Sequence, residues 1–126
     1  MAVVELTKDN FEQTIKDHAF VIVDFWAPWC GPCRNFAPVY EKVSGDHPDV
    51  VFSKVNTEEE QELASHFQIR SIPTLMIFRD QVIIFAQAGA LPESSFRQLL
   101  AKAQELDMDE VRRQIAAQHG QATRQA

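Results

Sequence analysis

The chain has two cysteines, three positions apart, in the run Trp29-Cys30-Gly31-Pro32-Cys33. A pair at that spacing can carry thiol–disulfide exchange, ligate a metal or form a structural cross-link. As a cross-link it would close a loop too small to staple a fold. Zinc would need four ligands, and the remaining candidates, His18, His47, His66 and His119, are not at finger spacing. The context of the pair favours exchange. It directly follows the apolar run Ala19 to Trp26 and opens a helical segment, which places Cys30 at a helix N-terminus. Free N–H groups and the helix dipole there favour the thiolate, the form that attacks a disulfide. Cys33, one turn on and on the same face, can resolve the mixed disulfide that Cys30 forms. Pro32 suits a first helical turn, where its missing N–H costs nothing. Gly31-Pro32 brings neither charge nor imidazole, so moderate activation of Cys30 is expected, which suits a reductant better than an oxidant.

The elements that must hold the pair follow from periodicity. Val3 to Leu6 reads as a short strand, and Thr7 can cap a helix whose stripe includes Phe11 and Ile15. Ala19 to Trp26 is apolar except for Asp24, as in a central strand buried on both faces. A helix is expected from about Cys33 to Ser44, kinked at Pro38 and broken by Gly45-Asp46-His47-Pro48. Val50 to Asn56 reads as a strand, and Thr57-Glu58-Glu59-Glu60 as a capping box opening a helix to about Phe67. Thr74 to Arg79 and Val82 to Ala88 flank Asp80-Gln81 as an antiparallel hairpin. A last domain helix starts near Pro92 or Glu93, with Phe96, Leu99, Leu100 and Ala103 on one face. The order β-α-β-α-β-α-β-β-α implies an α/β fold with a mixed sheet and helices on both faces.

Phe25-Trp26-Ala27-Pro28-Trp29-Cys30-Gly31-Pro32-Cys33-Arg34, with Ile72-Pro73-Thr74 and Gly89-Ala90 further on, resembles the thioredoxin family over roughly Val3 to Ala103. Arg34-Asn35-Phe36-Ala37-Pro38 and Lys54-Val55-Asn56-Thr57-Glu58 are similar to the bacterial subtype that carries an extra N-terminal zinc-binding segment; no such segment is found in these residues. The resemblance implies a thioredoxin fold, with a central five-stranded mixed sheet and four helices. It makes Cys30 the nucleophile and Cys33 the resolving thiol. Asp24 matches the family's buried carboxylate behind the pair, and Lys54 the residue that approaches it. A carboxylate in an apolar strand should have a raised pKa and could take the Cys33 proton through water; the alternative is an Asp facing solvent at a strand end. Strand alternation sets Lys54 with Phe52 and Asn56, opposite Val51 and Val55, where it either moderates the Asp24 charge or is simply solvated. Pro73 matches the family's cis proline, leaving backbone groups free to pair with an extended substrate. Trp29, Gly31, Pro32, Ile72, Pro73, Ala88 and Gly89 would then form the docking surface, unless Trp29 is ordinary core packing. Two departures stand out. Asp80-Gln81 replaces the usual Asn-Gly type of turn, so turn type or register should differ, and Ala88 is smaller than the β-branched residue often found there.

Residues 1–106 make up the expected domain. Residues 107–126 read as an extension: Asp107-Met108-Asp109-Glu110 starts a short amphipathic helix with Met108, Val111 and Ile115 in a stripe, and the polar end from His119 should fray. With 126 residues, 45% hydrophobic, one core is affordable, and a net charge of -6 without a basic run argues against nucleic acid and anionic membrane. No targeting segment or membrane-length apolar stretch is visible, which makes the cytoplasm the expected compartment. The reading is thus a monomeric protein disulfide reductase working through a redox-active Cys30–Cys33 disulfide. By resemblance, NADPH would recharge it through a flavin-dependent thioredoxin reductase; no bound cofactor or metal is expected, the chain lacking a Gly-rich nucleotide loop. The alternative is a redox-switched binding or chaperone-like module.

Overall fold

The computed structural model describes Val3 to Gln125, with side chains to Gln118. The order is β1 (Val4–Glu5), α1 (Phe11–Asp17), β2 (Phe20–Trp26), α2 (Gly31–Ser44), β3 (Val51–Asn56), α3 (Gln61–His66), β4 (Thr74–Arg79), β5 (Val82–Ala88), α4 (Glu93–Glu105) and α5 (Met108–Gln125). The sheet runs β1-β3-β2-β4-β5. β1, β3 and β2 are parallel, while β4 is antiparallel to both β2 and β5.

β2 lies in the middle because it can be buried on both faces. Phe20 and Ile22 meet Phe36, Tyr40 and Val43 of α2 and Phe96, Leu100 and Ala103 of α4. Val21, Val23 and Phe25 meet Phe11 and Ile15 of α1. The Tyr40 hydroxyl, within this core, lies 2.7 Å from the Ser53 carbonyl and 3.1 Å from that of Ile22, and receives the Ser53 N–H.

Three helix starts differ from the sequence expectation. α1 begins at Phe11, after a turn in which the Thr7 hydroxyl receives the Asp9 N–H and its carbonyl receives those of Asn10 and Phe11. α2 begins at Gly31, so its first turn contains Pro32 and Cys33. The capping box at Thr57 does not form. The Asn56 side chain receives the Glu58 and Glu59 N–H groups, the Thr57 hydroxyl donates to the Trp26 carbonyl, and α3 starts only at Gln61.

The hairpin turn has Asp80 and Gln81 both at positive φ, 51° and 70°. That is the type I′ pattern, which glycine usually supplies. The pairing shifts between Ile77 and Phe78, leaving Ile84 as the extra residue of a bulge. The Asp80 N–H donates to the Ala19 carbonyl at 2.8 Å. α5 has 18 residues, longer than the short helix expected. Asp107 receives the N–H groups of Asp109 and Glu110 and so caps it. Met108 is buried, Val111 and Ile115 are half-buried, and Arg112 pairs with Asp80 at 3.2 Å. The fraying expected from His119 concerns residues whose side chains lie outside those described.

Candidate active site

The central strand ends at Trp26, and the chain turns through Ala27-Pro28-Trp29 straight into α2. The turn is held by the Cys30 N–H on the Ala27 carbonyl and by Arg34, which donates to the Pro28 carbonyl at 3.2 Å. Cys30 is the N-cap of α2, with extended backbone, and its Sγ receives the Cys33 N–H at 3.2 Å. A sulfur placed there faces the unpaired N–H groups of the first turn, the arrangement that favours a thiolate. Cys30 and Cys33 are joined as a disulfide, with Cα atoms 5.2 Å apart.

The other half of the site comes from the segment just before β4, whose first residue, Thr74, lies beside Phe25 near the end of β2. The Ile72-Pro73 peptide bond is cis, and the Ile72 carbonyl oxygen lies 3.7 Å from Cys30 Sγ. Ala27, Trp26 and Ile72 pack with the two cysteines. The Pro73 carbonyl receives the Gly89 N–H at 2.8 Å, so that group is engaged within the chain rather than free. Ala88 pairs with Thr74, and Gly89 has φ 108°, a conformation L side chains rarely adopt. Gly31 is half-buried, while Pro32, Ala88 and Gly89 are exposed. Trp29 is 63% exposed, which excludes core packing, and its indole N–H donates to the Glu58 carboxylate.

Behind the disulfide, Asp24 is only 4% exposed. Burial pushes its carboxyl up to about 7, against the opposing pull of the Lys54 charge. Lys54 is its register partner on β3, and Leu75 its partner on β4. A cavity of about 160 Å³ is lined by Asp24, Trp26, Cys33, Tyr40 and Lys54, among others. A volume of that size holds several waters, so a proton can pass between Asp24 and Cys33 without direct contact. The Lys54 ammonium lies over the Trp26 ring, 4.8 Å from its centroid, a contact worth about 0.5–2 kcal/mol depending on its hydration. Among the described residues, no three His, Cys, Asp or Glu side chains gather as a metal would require. No helix among them is long and apolar enough to cross a membrane.

The Thioredoxin family model matches residues 2–102. The chain belongs to the thioredoxin family. "Putative thioredoxin 2" of Streptomyces coelicolor is 59% identical over 94% of this chain and 89% of its own length. Thioredoxin 1 of Synechococcus elongatus is 44% identical over 77% of this chain and 92% of its own. The Plasmodium falciparum thioredoxin structure superposes with a TM-score of 0.74 at 36% identity, covering 79% of this chain and 98% of its own. This thioredoxin-family chain is a thiol–disulfide oxidoreductase whose Cys30 and Cys33, in the dithiol form, reduce disulfides through a mixed disulfide and end as the disulfide seen here.

Of the residues named from the sequence, Asp24, Cys33 and Lys54 line the cavity, Ile72 packs with Cys30 and Cys33, and Ala88 and Gly89 are tied to Thr74 and Pro73. Two neighbours were missed. Glu58, read as part of a capping box, instead anchors Trp29. Trp26, read as the end of a strand and part of the family motif but given no role in the site, carries the Lys54 ammonium. Strand alternation alone puts Trp26 on the Asp24 face, but the contact with Lys54 needs the β2–β3 register.

Proposed function

We propose that Cys30 attacks the substrate disulfide and Cys33 resolves the product. The Cys30 thiolate forms a mixed disulfide and releases one substrate thiol. The Cys33 thiolate then attacks Cys30 Sγ, frees the second substrate thiol and leaves the Cys30–Cys33 disulfide. The observation that carries this reading is Cys30 at the cap of α2, its Sγ receiving the Cys33 N–H. Asp24 accepts the Cys33 proton through the cavity, and Lys54 moderates its charge. An extended protein segment docks across Trp29, Gly31, Pro32, Ile72, Pro73, Ala88 and Gly89. Trp29, Pro32, Ala88 and Gly89 are exposed, Gly31 and Ile72 half-buried and Pro73 buried beneath them, and the Ile72 carbonyl already faces the nucleophile.

Electrons come from NADPH by way of a flavin-dependent thioredoxin reductase, and the chain works as a monomer in the cytoplasm. A single chain suffices because every group invoked belongs to it. Residues 1–106 carry the chemistry, with 107–126 an extension to it.

Insulin reduction tests the assignment. Cys30→Ser should abolish it, and Cys33→Ser should accumulate mixed disulfides. Alkylation of the reduced protein at neutral pH should label Cys30 first; preferential labelling of Cys33 would reverse the roles.

A further inference from the structure

Lys54 stands beside Asp24 in the β2–β3 register, yet the two form no ion pair within 4 Å. Its ammonium lies over the Trp26 ring instead. Trp26 is two residues after Asp24 on β2, so both side chains leave the same face of the sheet. Both line the cavity shared with Cys33, and each has a buried polar atom without a hydrogen-bond partner, Oδ1 of Asp24 and Nε1 of Trp26.

We propose that Trp26 is a positioning residue for the exchange reaction: its ring holds the Lys54 ammonium aside from Asp24, leaving the carboxyl unpaired beside the cavity. Two costs decide where the ammonium goes. Closing on a buried carboxylate would strip water from both charges. Lying over an aromatic face leaves part of the ammonium hydrated while its stem covers apolar surface. The ring therefore offers Lys54 a resting place that keeps its field on Asp24 without a direct bond. Few other charges can do that work. From α2, Cys33 and Tyr40 face the cavity, with Arg34 and Glu41 at its rim; Arg34 is turned to the Pro28 carbonyl, and the Tyr40 hydroxyl to the Ser53 and Ile22 carbonyls. The β4 neighbour of Asp24 is Leu75, which is uncharged.

The consequence for catalysis rests on the reading of Asp24 as proton acceptor; the placement of Lys54 does not. Carbon NMR titration of the Asp24 carboxyl in the oxidised full-length protein tests the placement. In Trp26→Leu, Lys54 closes on Asp24 and the midpoint falls by about half a pH unit, roughly threefold in the dissociation constant. Trp26→Phe, which keeps a ring face, shifts it less. In a Lys54→Gln background, Trp26→Leu produces no fall. A midpoint that stays or rises in Trp26→Leu, or falls equally without Lys54, overturns the proposal. The wild-type protein provides a check that needs no variant: the Lys54 Hε protons should be shifted upfield by the indole ring current, and their absence from that region also overturns it. Unchanged mixed-disulfide resolution in Asp24→Asn would sink the acceptor role alone.

Discussion

Asp24 links the chemistry of the site to the stability of the whole chain. Its carboxyl rises from 3.8 to about 7 on folding, through burial opposed by Lys54. Between those values the folded chain holds a proton that the unfolded chain has released. The contribution to stability is therefore fully present below about pH 4 and is lost as pH rises through 7, by on the order of 4 kcal/mol. Asp24→Asn removes that slope. In urea unfolding of the oxidised protein, the variant should gain on wild type steadily from pH 4 to 8 and level off above. A gain independent of pH would show that burial does not raise this carboxyl. The burial of Asp24 was legible because it is the one charge in Ala19 to Trp26. The Trp29–Glu58 hydrogen bond was not, because it spans 29 positions and depends on how the loop after β3 folds back on the active-site turn.

Among the elements, the β4–β5 hairpin tolerates the least favourable backbone. Asp80 and Gln81 both occupy the left-handed region, which costs an L residue about 1–2 kcal/mol. The turn is held in place by the Asp80 N–H on Ala19 and by Arg112 on the Asp80 carboxylate. Gln81→Gly should relieve its position, with part of the gain offset by glycine's greater freedom in the unfolded chain. Thermal denaturation should show a rise of up to about 1 kcal/mol in stability, and a fall would mean that the Gln81 side chain, not its backbone, holds the turn. Strand identity and pairing were legible from alternation and from the turn between two apolar runs. Helix starts were less so, because several polar side chains can compete for the same N–H groups. Asn56, not Thr57, took those of Glu58 and Glu59, a choice set by where β3 ends.

On the scale of the molecule, the disulfide and the hairpin turn occupy opposite ends of the sheet. Cys30 follows the end of β2, whereas the Asp80 N–H meets Ala19, just before β2 begins. The seven residues of β2 separate them by roughly 20 Å. α5 ties to the turn end through Arg112, with Met108 buried beside its start. Removing residues 107–126 should thus cost about 2 kcal/mol of stability, mostly the burial of Met108, while insulin reduction stays within about twofold, a barrier change well under 1 kcal/mol. Loss of most activity in a truncation that circular dichroism shows to be folded would mean that α5 shapes the site. The same arrangement gives the molecule a working end and a handle. A bead, an electrode surface or a fused domain attached along α5 would sit behind the turn and leave the Trp29 and Pro73 surface facing outward. Immobilised this way, the protein should keep reducing large folded substrates, whereas a tether beside Trp29 would block them and spare only small disulfides.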